Sequence, residues 1–138
     1  MKSSKTTKKE LKSLSKQIKE MIVELAYKSN SGEVGSALCI SDIVSTLYFR
    51  VMNVDPKKPE DLSSDHFILS KGHGASALYI TLALRGYFPK KVLQGYRMDG
   101  GTLHLHPCSS VAPGVEVSTG ALGHGLPISA GMALGLKK

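Results

Sequence analysis

The sequence predicts an α/β fold, rich in helix with one or few parallel strands, on three observations. Apolar residues recur at steps of three and four through residues 11–25, the spacing of a single buried helix stripe. His66-Phe67-Ile68-Leu69-Ser70 is a short apolar run between polar and glycine residues, the pattern of a strand buried inside a parallel sheet. Directly behind it, Gly72-His73-Gly74 offers a sharp turn into a helical pattern over Ala75–Leu84, which Arg85-Gly86 terminates. Strand, turn and helix in that order put a loop at the strand's carboxyl end, where open α/β sheets bind ligands.

Taken along the chain, Leu11, Leu14, Ile18, Met21, Ile22 and Leu25 form the first helix stripe, and Asn30-Ser31-Gly32 marks its end. A second helix is signalled by Ser41 as N-cap with Asp42 in the first turn, and Ile43, Val44, Leu47, Tyr48 and Val51 are expected on its buried side. Pro56 and Pro59 enforce a loop before the strand. After the helix at Ala75–Leu84, a short one starts at Pro89, whose fixed backbone angle suits a first helical position, and runs toward Tyr96. Asp99–Thr119 has no periodicity, and so long an irregular stretch in a compact domain points to a functional loop. From Thr119 to Gly135 the chain is rich in Gly, Ala and Ser, which predicts a tightly packed helix with another surface pressed against it. One strand is not a sheet. The helices are of the kind that flank a parallel sheet, but the strands completing it are not in these residues.

With 138 residues, 41% hydrophobic and 21% charged, the chain has the size and balance of one globular domain. No continuous apolar run reaches the length of a membrane span. The net charge of +7 suggests nucleic acid until its placement is considered, because residues 1–28 hold eight lysines against three glutamates. Residues 1–12 form a basic polar leader ahead of a domain over 13–138. A solvated lysine face accounts for it, since no aromatic residues interleave with the lysines as in a nucleic-acid surface. The leader runs into an amphipathic segment rather than an apolar one, so no signal peptide is expected and the cytoplasm is the default compartment. Cys39 and Cys108 match neither a metal spacing nor a redox pair and read as free thiols.

Three features could carry chemistry. His73, between two glycines at the end of the strand, is projected into the crevice, where an imidazole could donate to a phosphate or shuttle a proton; a structural histidine is the plain alternative. His104-x-His106 places two imidazoles on the irregular loop, but no third ligand lies near, so no zinc site is expected. Gly120-Ala121-Leu122-Gly123-His124-Gly125 opens a helix, where bare amides and the positive helix end attract anions. It does not fit the dinucleotide fingerprint, and close packing explains it equally well by spacing alone.

Several further segments occur in one order: Asn30-Ser-Gly-Glu-Val-Gly35, Phe67-Ile-Leu-Ser-Lys-Gly-His73, Arg85-Gly-Tyr-Phe88, His106-Pro107, Pro113 through Gly125, and Gly131-Met-Ala-Leu-Gly135. Together they resemble the beginning of the transketolase family, particularly the branch in which the enzyme is divided between two polypeptides. The resemblance spans residues 15–138 and implies the N-terminal part of an incomplete thiamine-diphosphate-binding domain. In that family this domain holds the diphosphate with a divalent metal, Mg or Ca, and a second domain holds the aminopyrimidine and supplies an activating glutamate. The cofactor's carbanion attacks a ketose and carries a two-carbon unit to an aldose. The resemblance implies that His73 contacts the diphosphate and the reacting centre, that His106 hydrogen-bonds substrate, and that the Gly120-Ala121-Leu122 backbone meets the thiamine ring system.

Departures from the family pattern shape the expectations. Ser31-Gly32-Glu33-Val34-Gly35 stands where the family usually reads Ser-Gly-His-Pro-Gly, so Glu33 puts a carboxylate at a substrate position, where it could either disfavour phosphorylated sugars by like-charge repulsion or weaken activity altogether. Cys108 stands where the divided branch often has an acid, and His124 where many members have glutamine. The Gly-Asp-Gly segment and the asparagine that bind the family's metal do not occur in these residues. No metal ligand is therefore assigned here; metal ligands, remaining sheet and second domain are expected from a companion chain in a hetero-oligomer acting on a sugar or sugar phosphate. The alternatives are an inactive truncation and a non-catalytic module that docks on a full-length relative.

Overall fold

The computed structural model describes residues 6–137; Lys2 and Lys5 of the basic leader lie outside the described residues. The first helix, α1 (Lys8–Ser29), is fixed at its start by Thr7, whose hydroxyl accepts from the Glu10 amide while the Glu10 carboxylate accepts from the Thr7 amide. It ends where Asn30 takes a left-handed conformation, φ 49°, at the predicted stop. Ile18, Ile22 and Leu25 of its stripe are buried, and Leu11, Leu14 and Met21 are half-buried beside them.

A short helix that the sequence did not signal, α2 (Val34–Leu38), precedes α3 (Ser41–Thr46), which widens into a π-helical turn over Leu47–Val51. Ser41 is not the cap: Ile40 takes that position, and the Ser41 hydroxyl donates back to the Leu38 carbonyl at 2.6 Å. The buried stripe is Ser41, Val44, Ser45 and Tyr48. Ile43 lies about 100° around the helix from Val44 and is exposed, and the π turn displaces Val51 to the surface as well. The stretch Val34–Val51 has a mean hydropathy of 1.3 over 18 residues, long and apolar enough by composition to cross a membrane, contrary to the sequence expectation. It is broken at Cys39–Ile40, and Ala37, Val44 and Tyr48 sit in the core.

At the centre lies α4 (Ala75–Arg85), preceded by a 3-10 turn over Gly72–Gly74 and closed by Gly86. It packs against α1, α2, α3 and a second 3-10 turn, Lys90–Gly95. That second turn corrects the predicted short helix: Pro89 is its cap rather than its first residue. The last helix is α5 (Gly125–Leu136).

Two larger expectations fail. No strand forms among the described residues, so the parallel sheet of the α/β prediction is absent there. Two backbone groups of residues 66–70 find side chains rather than a neighbouring strand. The Phe67 amide donates to Glu116 at 2.8 Å, and the Thr119 hydroxyl donates to the Leu69 carbonyl at 2.8 Å. The second failure is α5, which is not packed tightly here: Leu126 is 76% and Leu134 74% exposed.

Candidate functional site

Segment 66–70, the turn Gly72–Gly74 and the loop 104–125 converge on one place. Gly72 and Gly120 touch back to back. A Cβ on Gly72 would come within 2.9 Å of the Gly120 nitrogen and the Thr119 carbonyl carbon, so only glycine fits at this contact without displacing backbone. Gly125, the first residue of α5, is held in the same way, its amide donating to the Ser70 hydroxyl at 3.2 Å. These contacts carry the loop across the end of α4.

His73 and His106 meet there edge to face, with ring centroids 4.7 Å apart and planes at 89°. The loop at His106 is fixed from below, since the buried Tyr79 of α4 donates its phenol to the His106 carbonyl at 3.0 Å. Burial pushes the Tyr79 phenol up, which keeps it a neutral donor. The His106 Nε2 is the one buried side-chain polar atom without a hydrogen-bond partner among the described residues. An orphaned buried nitrogen is costly unless something meets it. A Cβ at Gly120 would stand 3.5 Å from the same imidazole, so the bare glycine backbone forms the adjoining wall.

The structure therefore brings His73, His106 and Gly120 together. Ala121 and Leu122 follow on an exposed turn ahead of α5. Glu33 sits at the cap position of α2, half-buried, accepting from the Ser36 hydroxyl at 3.3 Å. Lys71 reaches from the His73 turn to the Cys39 sulfur just past α2, at 2.8 Å. His104 is exposed, whereas His106 is half-buried with its Nε2 covered, and no group of three or more His, Cys, Asp or Glu among the described residues could hold a metal. Hydrogen bonds from Ser110, then from Ser118, lower the pKa of the Cys108 thiol, just past His106, from its ordinary value.

A family model described as "Transketolase, thiamine diphosphate binding domain" matches residues 11–138. The chain belongs to the transketolase family. One subunit of the apulose-4-phosphate transketolase of Phocaeicola vulgatus is 41% identical over 123 residues, covering 89% of this chain and 43% of that protein. The 6-deoxy-6-sulfo-D-fructose transketolase subunit SqwG of a Clostridium species is 39% identical over 120 residues, covering 87% of this chain and 44% of that protein. The solved transketolase from Leishmania mexicana superposes with a TM-score of 0.85 at 30% identity, over 90% of this chain and 19% of that one. The chain thus spans less than half the length of these relatives.

Sequence reasoning on this transketolase chain missed the residues that hold the site rather than line it. Glu116, Thr119, Ser70 and Tyr79 act through partners 27 to 55 positions away. No local spacing signals such pairs. The Pro113–Gly125 segment that carried the resemblance contains Glu116 and Thr119, but a motif does not say what its side chains grip.

Proposed function

We propose that this chain is the N-terminal component of a divided transketolase-like enzyme, transferring a two-carbon ketol unit between sugars together with a companion chain. The observation that carries the reading is the orphaned, buried Nε2 of His106, on a ring that lies edge to face with His73 and borders the bare backbone of Gly120. This set fits thiamine diphosphate: His73 and the amides of the Gly120–Leu122 turn would hold it, and the lack of a side chain at Gly120 leaves room for close approach. When bound, thiamine diphosphate supplies the carbon nucleophile and electron sink for breaking a ketose next to its carbonyl.

The chain's own residues orient and donate. The His106 Nε2 meets a hydroxyl or a developing oxyanion of the sugar, and Tyr79 keeps the His106 backbone from moving away. The fit does not extend to the divalent cation, because the described residues offer it no ligand set. Its ligands and the aminopyrimidine domain are assigned to the companion chain, whose existence is supported by the names of the apulose-4-phosphate and sulfofructose relatives, each one subunit of a transketolase. Those names also point to ketoses bearing phosphate or sulfonate. Glu33 then selects among such sugars by charge, and Glu33→His would shift preference toward the phosphorylated substrate.

The decisive measurement is ketol transfer by the chain combined with its companion. His106→Ala and His73→Ala should each lower turnover by about a hundred- to a thousandfold, roughly 2.7–4 kcal/mol, with little change in melting temperature. The exposed His104→Ala should do neither. Near-native turnover in both site variants would remove the pair from the chemistry.

A non-catalytic docking module is the second reading, favoured by the exposed leucines of α5. It predicts that the companion is a full-length transketolase whose rate does not change when His73 and His106 are replaced.

A further inference from the structure

We propose that Glu116 is a positioning residue whose ion pair with His66 makes the seating of the Gly120–Leu122 turn dependent on pH. The Glu116 carboxylate uses both oxygens: one meets the His66 Nδ1, and the other accepts the Phe67 amide at 2.8 Å. Three residues on, the Thr119 hydroxyl donates to the Leu69 carbonyl at 2.8 Å and its amide to the Pro107 carbonyl at 3.1 Å. The next residue is Gly120, seated against Gly72 without spare room and against the His106 ring. Glu116 and Thr119 thus pin the loop to the segment that leads into His73. Losing the Glu116 grip loosens the turn where its clearance is smallest.

The charges around His66 favour its cation. Asp55, Asp61 and Asp65 line the same recess against one cation, Lys58, and Tyr48 and Tyr87 close it. Burial pushes both phenols up, so they add no charge. Glu60 lies on the outer side, where the neighbouring groove begins. The hydrogen bond that the His66 Nδ1–H donates to Glu116 raises the His66 pKa most, aided by the Leu62 carbonyl and Asp65 and opposed by burial. A folded-state pKa above the unfolded one, near 6.5, fixes the sign: the tie is fully present below the unfolded value. Its ionic part is lost as pH rises through the raised folded value, leaving the weaker hydrogen bond of a neutral imidazole. The latch therefore weakens on the alkaline side.

That the turn meets a cofactor rests on the function proposed for the site, whereas the latch does not. The experiment separates them. In the full isotopically labelled chain, nuclear magnetic resonance follows the His66 ring and the Gly120 and Ala121 amides across pH. The amides should titrate with the His66 midpoint, which should lie above the ordinary imidazole value. His66→Arg carries a permanent cation and should abolish that amide titration. Glu116→Gln keeps an acceptor for the Phe67 amide but should return the His66 midpoint toward its ordinary value. Circular dichroism confirms that each variant folds.

Bound to its companion, the native chain should lose about tenfold in thiamine diphosphate affinity across the His66 midpoint, the scale of one charged hydrogen bond. His66→Arg should show a flat profile. Gly120 and Ala121 shifts that ignore His66, or a pH dependence that survives in His66→Arg, would overturn the latch. Amides that follow His66 in a chain that binds no thiamine diphosphate at any pH would support the latch and sink the cofactor reading.

Discussion

Helices α4 and α5 differ by one residue in length, both follow a glycine turn, and neither has a polar face, yet the protein treats them oppositely. Every residue from Ala75 to Ala83 is buried in α4, while in α5 only Gly125 is. A helix that is apolar all round holds in water only when it is covered. The cover over α4 comes from α1, α2, α3 and the Lys90–Gly95 turn. None of comparable extent covers α5 among the described residues. The difference teaches which surface the chain completes by itself and which it presents to something else, and it agrees with the proposed companion.

The contrast breaks most directly by truncating one leucine in each helix. Leu82 is fully buried in α4, so Leu82→Ala should cost about 2–5 kcal/mol in chemical denaturation, from lost burial and the cavity left behind. Leu134 is 74% exposed, and Leu134→Ala should change stability by less than about 0.5 kcal/mol. With the companion added, Leu134→Ala should weaken association instead. A large stability loss from Leu134→Ala in the isolated chain would mean that α5 is covered after all.

Glycine replacements sharpen the same contrast at smaller magnitude. Gly72→Ala drives a methyl group into the backbone of Thr119 and Gly120, an overpacking that should cost about 1–3 kcal/mol. Gly131, on α5, has nothing within 4 Å of an added Cβ. There Gly131→Ala should stabilise the isolated chain by about 0.5–1 kcal/mol, through helix propensity alone. Melting curves of the two variants should move in opposite directions. Parallel shifts would show that α5 has a close neighbour at Gly131.

The same two regions mark what the sequence made legible. The α1 stripe, its stop at Asn30, and the turn and helix after His73 were readable because their signals are local: apolar steps of three and four, a left-handed cap, paired glycines. His73, His106 and Gly120 stood out by residue type and turn, each with a plain structural alternative, and only the resemblance gave them roles. Their meeting depends on glycine contacts and on Tyr79, which spacing does not encode. The strand at 66–70 failed for a different reason. An apolar run says that a segment is buried, and Leu69 is; it does not say whether a ladder or a carboxylate will satisfy its amides. Likewise the small residues of α5 announced a helix built for close contact, but beyond Gly125 against Ser70 the described residues press little surface on it.

If burial seats α4, the ion pair at the rim of its cradle should matter least. Asp42 of α3 accepts from Lys19 of α1 at 2.7 Å and also from the buried Ser15 hydroxyl, tying together two helices that pack on α4. The Lys19 bond, then the Ser15 bond, hold the Asp42 carboxyl below its ordinary range. Because the folded value is the lower one, this contribution is present above the unfolded pKa, near 3.9. It is lost as pH falls through the folded value. The Asp42 side chain is 68% exposed, so solvent screens the pair and its worth stays below about 1 kcal/mol. Asp42→Asn should therefore lower stability only slightly at neutral pH and remove the small acid-side loss that the native chain shows. Denaturation of both proteins at neutral pH and near the unfolded carboxylate pKa measures this. A loss as large as that of Leu82→Ala would mean that the α1–α3 tie, rather than apolar cover, holds the central helix in place.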